Sequence, residues 1–300
     1  HGSFSYRLSL GAENNMKAGD DGFSRFAFSP TVLLSYRLNK RNMLRLRLDS
    51  ETSMPDIQQM SGNRILIMEN FYRRGNADVH NSTGYQSKLI YSYNIPRKFI
   101  VQADAHYNHT ADLLYDAFAQ DGNAWYLETQ NAHLYSETGM NMIVNYLPWN
   151  WLRIGVDVSA DRQTIKETSS GEAFSDWFFP VYLNVSAVWG DWSLSCRQTF
   201  GGNMLDGLYR KGLEKVSYLS LTYNWKNWQF GAQCLFPFYD DEYSNETVSL
   251  APVRHVTHTN LRTKNREFGF TISWFFQRGK ENHSAKSLEN SDFDSGVFRF

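Results

Sequence analysis

Along most of this chain, apolar and polar residues alternate one for one. In "MLRLRLDS", Leu44, Leu46 and Leu48 fall on one side, with Arg45, Arg47 and Asp49 on the other. "WLRIGVDVSAD" sets Leu152, Ile154, Val156 and Val158 against Arg153, Gly155, Asp157 and Ser159. Leu219, Leu221, Tyr223 and Trp225 oppose Ser220, Thr222 and Asn224 in the same way. So do Phe268, Phe270, Ile272, Trp274 and Phe276 against Gly269, Thr271 and Ser273. A period of two marks an extended strand with one apolar face, and helical periodicity is nearly absent. The pattern predicts about twelve strands. Their spans are 3–13, 23–38, 42–52, 85–95, 97–109, 135–147, 150–161, 177–189, 191–200, 215–225, 227–237 and 265–277.

The connections between these strands alternate in length. "NKR", "IPRK", "LPWN", "GD" and "KN" make short turns. The others are long and polar: "ENNMKAGDDG" and residues 53–84, 110–134, 162–176, 201–214 and 238–264. Short turns at one end and long loops at the other describe an outer-membrane barrel, and a soluble sandwich has no reason to sort its loops so. One strand face is almost purely apolar and aromatic. The other carries charges spread over many strands, such as Arg45, Arg47, Asp104 and Asp157. That suits a wet lumen with the apolar face turned to lipid. The fold expected is therefore all-β: an antiparallel transmembrane β-barrel, or part of one, with short periplasmic turns and long extracellular loops. Residues 1–277 form the barrel segment, and strand parity puts the polar, disorder-like tail 278–300 in the periplasm.

Tryptophans stand at the short turns. Trp225 and Trp228 flank Lys226-Asn227, Trp189 and Trp192 flank Gly190-Asp191, and Trp149 and Trp151 flank Asn150. An amphipathic indole is most stable at headgroup level. These six, with Tyr36, Tyr91, Tyr93, Tyr146 and Tyr223, are the expected girdle at one membrane interface.

Composition narrows the classes. The net charge of -1 gives nucleic acid no electrostatic footprint. Mean hydropathy is -0.51, and no run approaches the ~20 apolar residues of a membrane helix. Alternating strands escape that test. Two cysteines make no disulfide scaffold; Cys196 and Cys234 both fall on the apolar face with one strand between them. The chain opens at His1, already close to a strand, and reads as a piece of a longer protein.

Candidate chemistry is sparse. His255 and His258 have HxxH spacing in a long loop, where solvated histidines are expected rather than a metal site. Asp104 and His106 share the lumen face and are expected in a hydrogen-bond network, not in catalysis. There is no G-x-S-x-G elbow, and the serines and acid of "SSGEAFSDWF" have no positioned base. No catalytic residue, metal or cofactor is expected. The loops carry aromatic and basic residues together: Phe71, Tyr72, Arg73 and Arg74; Tyr115, Trp125 and Tyr126; Tyr209, Arg210 and Lys211; Phe238 and Tyr239. Tyr72, Arg73, Arg74, Trp125, Tyr126, Tyr209 and Arg210 are the ligand candidates. Aromatic faces with cations suit sugars, siderophores or peptides. The same residues would equally pack loops on one another or form an upper girdle.

"YRRGNADVHNSTGYQSKLIYSYN" (72–94) resembles the mid-barrel region of Bacteroidetes-type TonB-dependent receptors. There a Gly-Asn-Pro-x-Leu segment precedes an L-x-Y-x-Y strand. Gly75, Asn76 and Val79 stand at matching positions, Leu89, Tyr91 and Tyr93 follow, and Ala77 replaces the proline. "SETSMPDIQQMSG" resembles the strand and loop before it, and "ENSDFDSGVFRF" resembles the acidic tail after the last strand. The resemblance implies an outer-membrane receptor of roughly 22 strands around an N-terminal plug, of which this chain is about the C-terminal half. It implies energy-coupled import of a siderophore, vitamin, glycan or peptide. Implied partners are outer-membrane lipid, the N-terminal barrel half and plug of the parent chain, the TonB complex through that plug, and a small ligand. Two alternatives stand beside it. One is a self-contained twelve-strand outer-membrane pore or barrel enzyme. The other, a soluble adhesive or glycan-binding β-protein, is opposed by the unbroken apolar face.

Overall fold

The computed structural model describes residues 2–17, 23–167, 171–213, 215–238, 243–250, 254–261 and 266–276. The tail 278–300 and Tyr239 lie outside them. In chain order the first elements are β1 (Ser3–Lys17), β2 (Phe23–Arg37), β3 (Asn42–Ser53), α1 (Ile57–Met60), β4 (Ile65–Met68), β5 (Phe71–Arg74), β6 (Ser82–Ile95) and β7 (Phe99–Ala111). Then come β8 (Leu113–Asp121), β9 (Ala124–Ala132), β10 (Leu134–Trp149), β11 (Leu152–Lys166), β12 (Ala173–Phe178), β13 (Val181–Trp189) and β14 (Trp192–Phe200). The last are β15 (Asn203–Asp206), β16 (Tyr209–Gly212), β17 (Ser217–Trp225), β18 (Trp228–Leu235), β19 (Tyr243–Ser249), β20 (Val256–Leu261) and β21 (Glu267–Trp274).

Twelve strands form the wall, in the order β1-β2-β3-β6-β7-β10-β11-β13-β14-β17-β18-β21, each antiparallel to the next. They coincide with the twelve alternating segments of the sequence, with one correction. The expected eighth strand, 177–189, is broken. Pro180 has no N–H to give the ladder, so β12 pairs with β11 above the break and β13 continues the wall below it.

The long connections, expected as polar loops with no strands assigned to them, hold further strands. They fold into two small four-stranded sheets, β4-β5-β9-β8 and β15-β16-β19-β20. The β8–β9 and β15–β16 hairpins turn on Gly122-Asn123 and Gly207-Leu208, with both glycines at positive φ, 61° and 59°. Among the described residues, a buried apolar cluster sits where these sheets meet the wall: Tyr115, Ala117, Ala132, Ile165 and Leu208. The Leu205 amide donates to Gln163 Oε1 at 2.8 Å, which ties β15 to β11. Below that level the wall is one layer. Its apolar face is exposed, as with Leu10, Met140 and Phe270, whereas Asp104 and Asp161 on the polar face are buried.

The aromatic residues at the short turns stand side by side. Trp149 stacks on Trp151 with centroids 5.3 Å apart, and Trp151 meets Trp189 edge-on at 6.5 Å. Trp192 lies 4.5 Å from Tyr223, and Trp228 stacks on Trp274 at 5.9 Å. Phe99 joins Tyr93 to Tyr146 by two edge-on contacts. Trp274 and Phe99 extend the row beyond the residues expected from the sequence. Trp225 and Trp228 are direct cross-strand partners around a turn whose first residue, Lys226, sits at φ 52°. Such turns favour Gly or Asn. Lys226→Gly is expected to hold or raise stability by about 0.5 kcal/mol, read from the urea midpoint of the refolded barrel. Cys196 and Cys234 both face Leu219 from opposite sides, one strand apart, and both are free thiols.

Candidate functional site

At the loop end, β5 and β9 pair in parallel: Tyr72 opposite Tyr126, Arg73 opposite Leu127 and Arg74 opposite Glu128. Alternation along β5 sends Tyr72 and Arg74 one way and Arg73 the other. Tyr72 stacks on Tyr126 at 5.7 Å, and the Arg74 guanidinium lies over the same ring at 4.1 Å. Arg74 also donates from Nε to the Glu128 carboxylate. Tyr126 is 2% exposed. These side chains bind loop to loop. Trp125 hangs on the Asn70 carbonyl through its amide at 2.8 Å, and Arg210 pairs with Asp176 of β12 at 2.5 Å.

Arg73 points into a cleft of about 520 Å³ between the two small sheets. Tyr209 lines it from the other side, with Asp116, Lys211, Asp206 and His255. Arg73 Nη2 pairs with Asp116 at 2.5 Å, and Lys211 pairs with Asp206. Burial pushes the Tyr209 phenol above its ordinary value, with Asp116 adding to the rise and Arg73 opposing it. Tyr209 is therefore a neutral hydrogen-bond donor at physiological pH. The cleft offers two cations, two carboxylates, a phenol and an imidazole around apolar Tyr115, Leu113 and Leu127. That set suits a ligand of a few hundred Å³ with both polar and apolar parts.

Of the seven candidates from the sequence, the fold brings Arg73 and Tyr209 to this cleft. It uses Tyr72, Arg74, Trp125, Tyr126 and Arg210 elsewhere in the loops. Asp116, Asp206 and His255 were missed as members, because loops without assigned strands give no facing residues. His258 sits across from Glu246 on the β19–β20 ladder, with Nδ1 3.6 Å from Oε2.

Gly75, carried by the resemblance, has a steric role. A Cβ there would lie 2.3 Å from the Gln58 carbonyl oxygen and 2.6 Å from that of Gln59, at the end of α1. The Gly75 and Asn76 amides donate to Ser61 and Gln59 at 2.7 Å. Asn76 Oδ1 accepts from the Asp78 amide, and Val79 is 1% exposed. Gly75→Ala should detach α1 and loosen the cleft wall at a cost of about 2 kcal/mol, checked by faster protease nicking near residue 60.

A deeper polar site lies on the wall. His106 is cross-strand partner to Lys88 and to Gly139, and Gly139 to Asp161. Because Gly139 has no side chain, its two neighbours meet over it: His106 Nε2 is 3.2 Å from Asp161 Oδ1. A Cβ at residue 139 would sit 1.9 Å from that oxygen. His106 Nδ1 is 3.2 Å from Asp104 Oδ1, and Lys88 Nζ reaches the same oxygen at 3.2 Å. Glu137 lies 3.6 Å from His106 Nε2 and accepts from Asn108, Gln163 and Tyr135. The expected lumen network is present and is wider than Asp104 and His106.

The comparisons with known proteins bear on this arrangement. The model of the outer membrane protein beta-barrel family matches residues 9–274. The chain belongs to that family. It is a protein of the bacterial outer membrane, and its exposed apolar face is the face turned to lipid. Among solved structures, it resembles the copper transporter OprC, with a TM-score of 0.61 and 14% identity over 91% of this chain and 44% of that one. The FrpB iron transporter from Neisseria meningitidis gives 0.60 and 12%, over 90% and 43%. The ferric enterobactin receptor PfeA from Pseudomonas aeruginosa gives 0.56 and 16%, over 78% and 38%. At these identities the likeness is one of fold. The chain spans about two-fifths of the length of these structures, which are transporters and a receptor rather than enzymes. No curated protein matches the sequence.

Proposed function

We propose that this barrel is wall and ligand-gathering rim of a TonB-dependent import receptor. The observation that carries the proposal is the twelve-strand antiparallel wall, which follows the barrels of OprC and FrpB over nine-tenths of this chain. In this reading the short turns are periplasmic and the two small sheets extracellular. The aromatic row is the periplasmic-side girdle: Tyr36, Tyr91, Tyr93, Tyr146, Trp149, Trp151, Trp189, Trp192, Trp225 and Trp228, with Trp274 added. The cleft around Arg73 and Tyr209 takes the ligand first. A siderophore, vitamin, glycan or peptide fits its mixture of aromatic, cationic and acidic groups.

Among the described residues, β1 and β21 each pair on one side only. Hydrocarbon tolerates no unpaired strand edge. This supports further strands, from the N-terminal part of a parent barrel, closing the wall around a plug that contacts TonB.

The test is uptake. Cells lacking the gene are offered a labelled ferric catecholate siderophore, a cobalamin, a short glycan or a short peptide, one at a time and limiting. One of the four should fail to enter, and complementation or collapse of the proton gradient should respectively restore and abolish its entry. Unchanged uptake of all four would sink the proposal.

A further inference from the structure

We infer that the lipid-facing side of β2, β3 and β6 holds one membrane-lipid acyl chain in a specific, hydroxyl-floored groove. The inference is independent of what the receptor imports. The groove has a volume of about 560 Å³. Phe26 and Phe28 of β2 wall one side, and Tyr85 of β6 walls the other. Between them the apolar column of β3 changes character. Leu44, Leu46 and Leu48 give way to Ser50 and Thr52, next to Thr83 and Ser87 of β6. Asp49 and Gln86 also border the groove but belong by alternation to the polar face. No cationic or anionic side chain of the lipid-facing positions lines it.

Depth makes these hydroxyls informative. Leu44 is level with Tyr36 and Tyr91 of the aromatic row. Ser50 and Thr52 are six and eight residues further along the strand. At a rise of ~3.3 Å per residue and a tilt of ~40°, they lie about 15 and 20 Å above that row. The apolar band of such barrels is about 25 Å tall. The hydroxyls are thus inside the band, in the leaflet at the loop end, where a polar group without a partner is costly. Thr52 and Thr83 face each other at 3.5 Å, the outer limit of a hydrogen bond. Among the described residues, the Ser50 and Ser87 hydroxyls have no hydrogen-bond partner. A lipid whose chain carries an ester, amide or hydroxyl group beside its apolar run satisfies both features. Its methylenes lie between the aromatic walls, and its polar linkage meets the serine and threonine oxygens. The groove is continuous with the established lipid interface, which selects a membrane lipid as the occupant. The one charge at its border, Asp49, is paired with Arg47 and belongs to the polar face, so the groove reads the linkage and the chain, not the headgroup.

A second lipid-facing groove supplies the contrast. It is about 320 Å³, bordered by Trp192, Leu221, Tyr223, Phe230 and Phe270. It offers the same hydrocarbon contact without the hydroxyl floor, so it should behave as ordinary lipid-exposed surface.

The experiment is native mass spectrometry of the full-length protein. It is extracted from the outer membrane, exchanged into lauryl maltoside and titrated with palmitoyl-oleoyl phosphatidylethanolamine. One lipid should stay bound after exchange and rebind on titration. Filling the groove with S50F and S87F should cut retention at least about tenfold. Removing hydroxyls without filling, with Ser50→Ala and Thr52→Val, should weaken retention severalfold and leaves folding less exposed to steric failure. Ala232→Phe in the second groove should change nothing. Two results would overturn the inference: wild-type protein stripped of lipid by the exchange, or retention unchanged when Ser50→Ala and Thr52→Val are combined.

Discussion

His106→Leu is expected to lower the stability of the wall by about 3 kcal/mol or more. The imidazole faces three carboxylates, those of Asp104, Glu137 and Asp161, at 3.2, 3.6 and 3.2 Å. Asp104 and Asp161 are each 6% exposed. Leucine has similar bulk and no polar atom, so the wall keeps its packing and loses only the group that separates the acids. Lys88 remains as the direct ion-pair partner of Asp104, and among the described residues His106 is the cation-bearing side chain paired with Asp161. Breaking a buried pair by removing one partner costs more than the pair contributes, because the surviving charge is left without water or counter-ion. His106→Gln keeps one donor and should lose about half as much. The check is the urea midpoint of the purified barrel in detergent, with the heat-induced mobility shift as a second reading. A loss below about 0.5 kcal/mol would mean that water serves the acids as well as the histidine does. Gly139→Ala should act through the same contact, since its Cβ needs the place of Asp161 Oδ1. Adding Asp161→Ala should restore only part of the loss, because the Ala160 carbonyl oxygen also lies 2.7 Å from that Cβ.

The wall was legible in the sequence because a membrane strand has a two-sided solvent. Each residue of β3 or β11 must suit either lipid or water, and the alternation reports that choice directly. Register followed as well: the placement of Cys196 and Cys234 on either side of one strand came from counting. The loop sheets were less legible, although two signals were present. Asp121-Gly122 and Asp206-Gly207 each sit between short alternating runs, a hairpin signature, yet the polarity of those stretches let them pass as connecting loops. The parallel pairing of β5 with β9 joins segments some fifty residues apart and has no local trace. The cleft inherits that difficulty. Arg73 and Arg74 are identical in composition terms, and only the pairing partner decides which of them faces the cleft. The break at Pro180 is the converse case. The residue was visible, but alternation on both sides hid it.

Arg73 and Arg74 supply the sharper functional test, because neighbours of the same type should fail in different ways. The Arg74 guanidinium is a quarter exposed, lies over the buried Tyr126 ring and pairs with Glu128, whose side chain is 12% exposed. Arg74→Ala should cost about 2 to 3 kcal/mol. The cost falls on the loop sheet rather than the wall, so hydrogen exchange of β5 and β9 should quicken while the urea midpoint of the barrel holds. Arg73 and Asp116 are 56% and 30% exposed, and an ion pair so wet contributes well under 1 kcal/mol. Arg73→Ala should therefore leave both readings unchanged. If the cleft is the binding site, it should nevertheless weaken ligand binding about tenfold, the worth of one charge-assisted hydrogen bond. Tyr209→Phe should act likewise, through loss of a neutral donor. The ligand is whichever of the four uptake probes the wild type imports, and the measurement is its equilibrium binding to detergent-extracted receptor. Wild-type affinity in Arg73→Ala and Tyr209→Phe together would move the site away from this cleft. Loss confined to Arg74→Ala would mean that the loop sheets matter as scaffold, with ligand held deeper in the lumen.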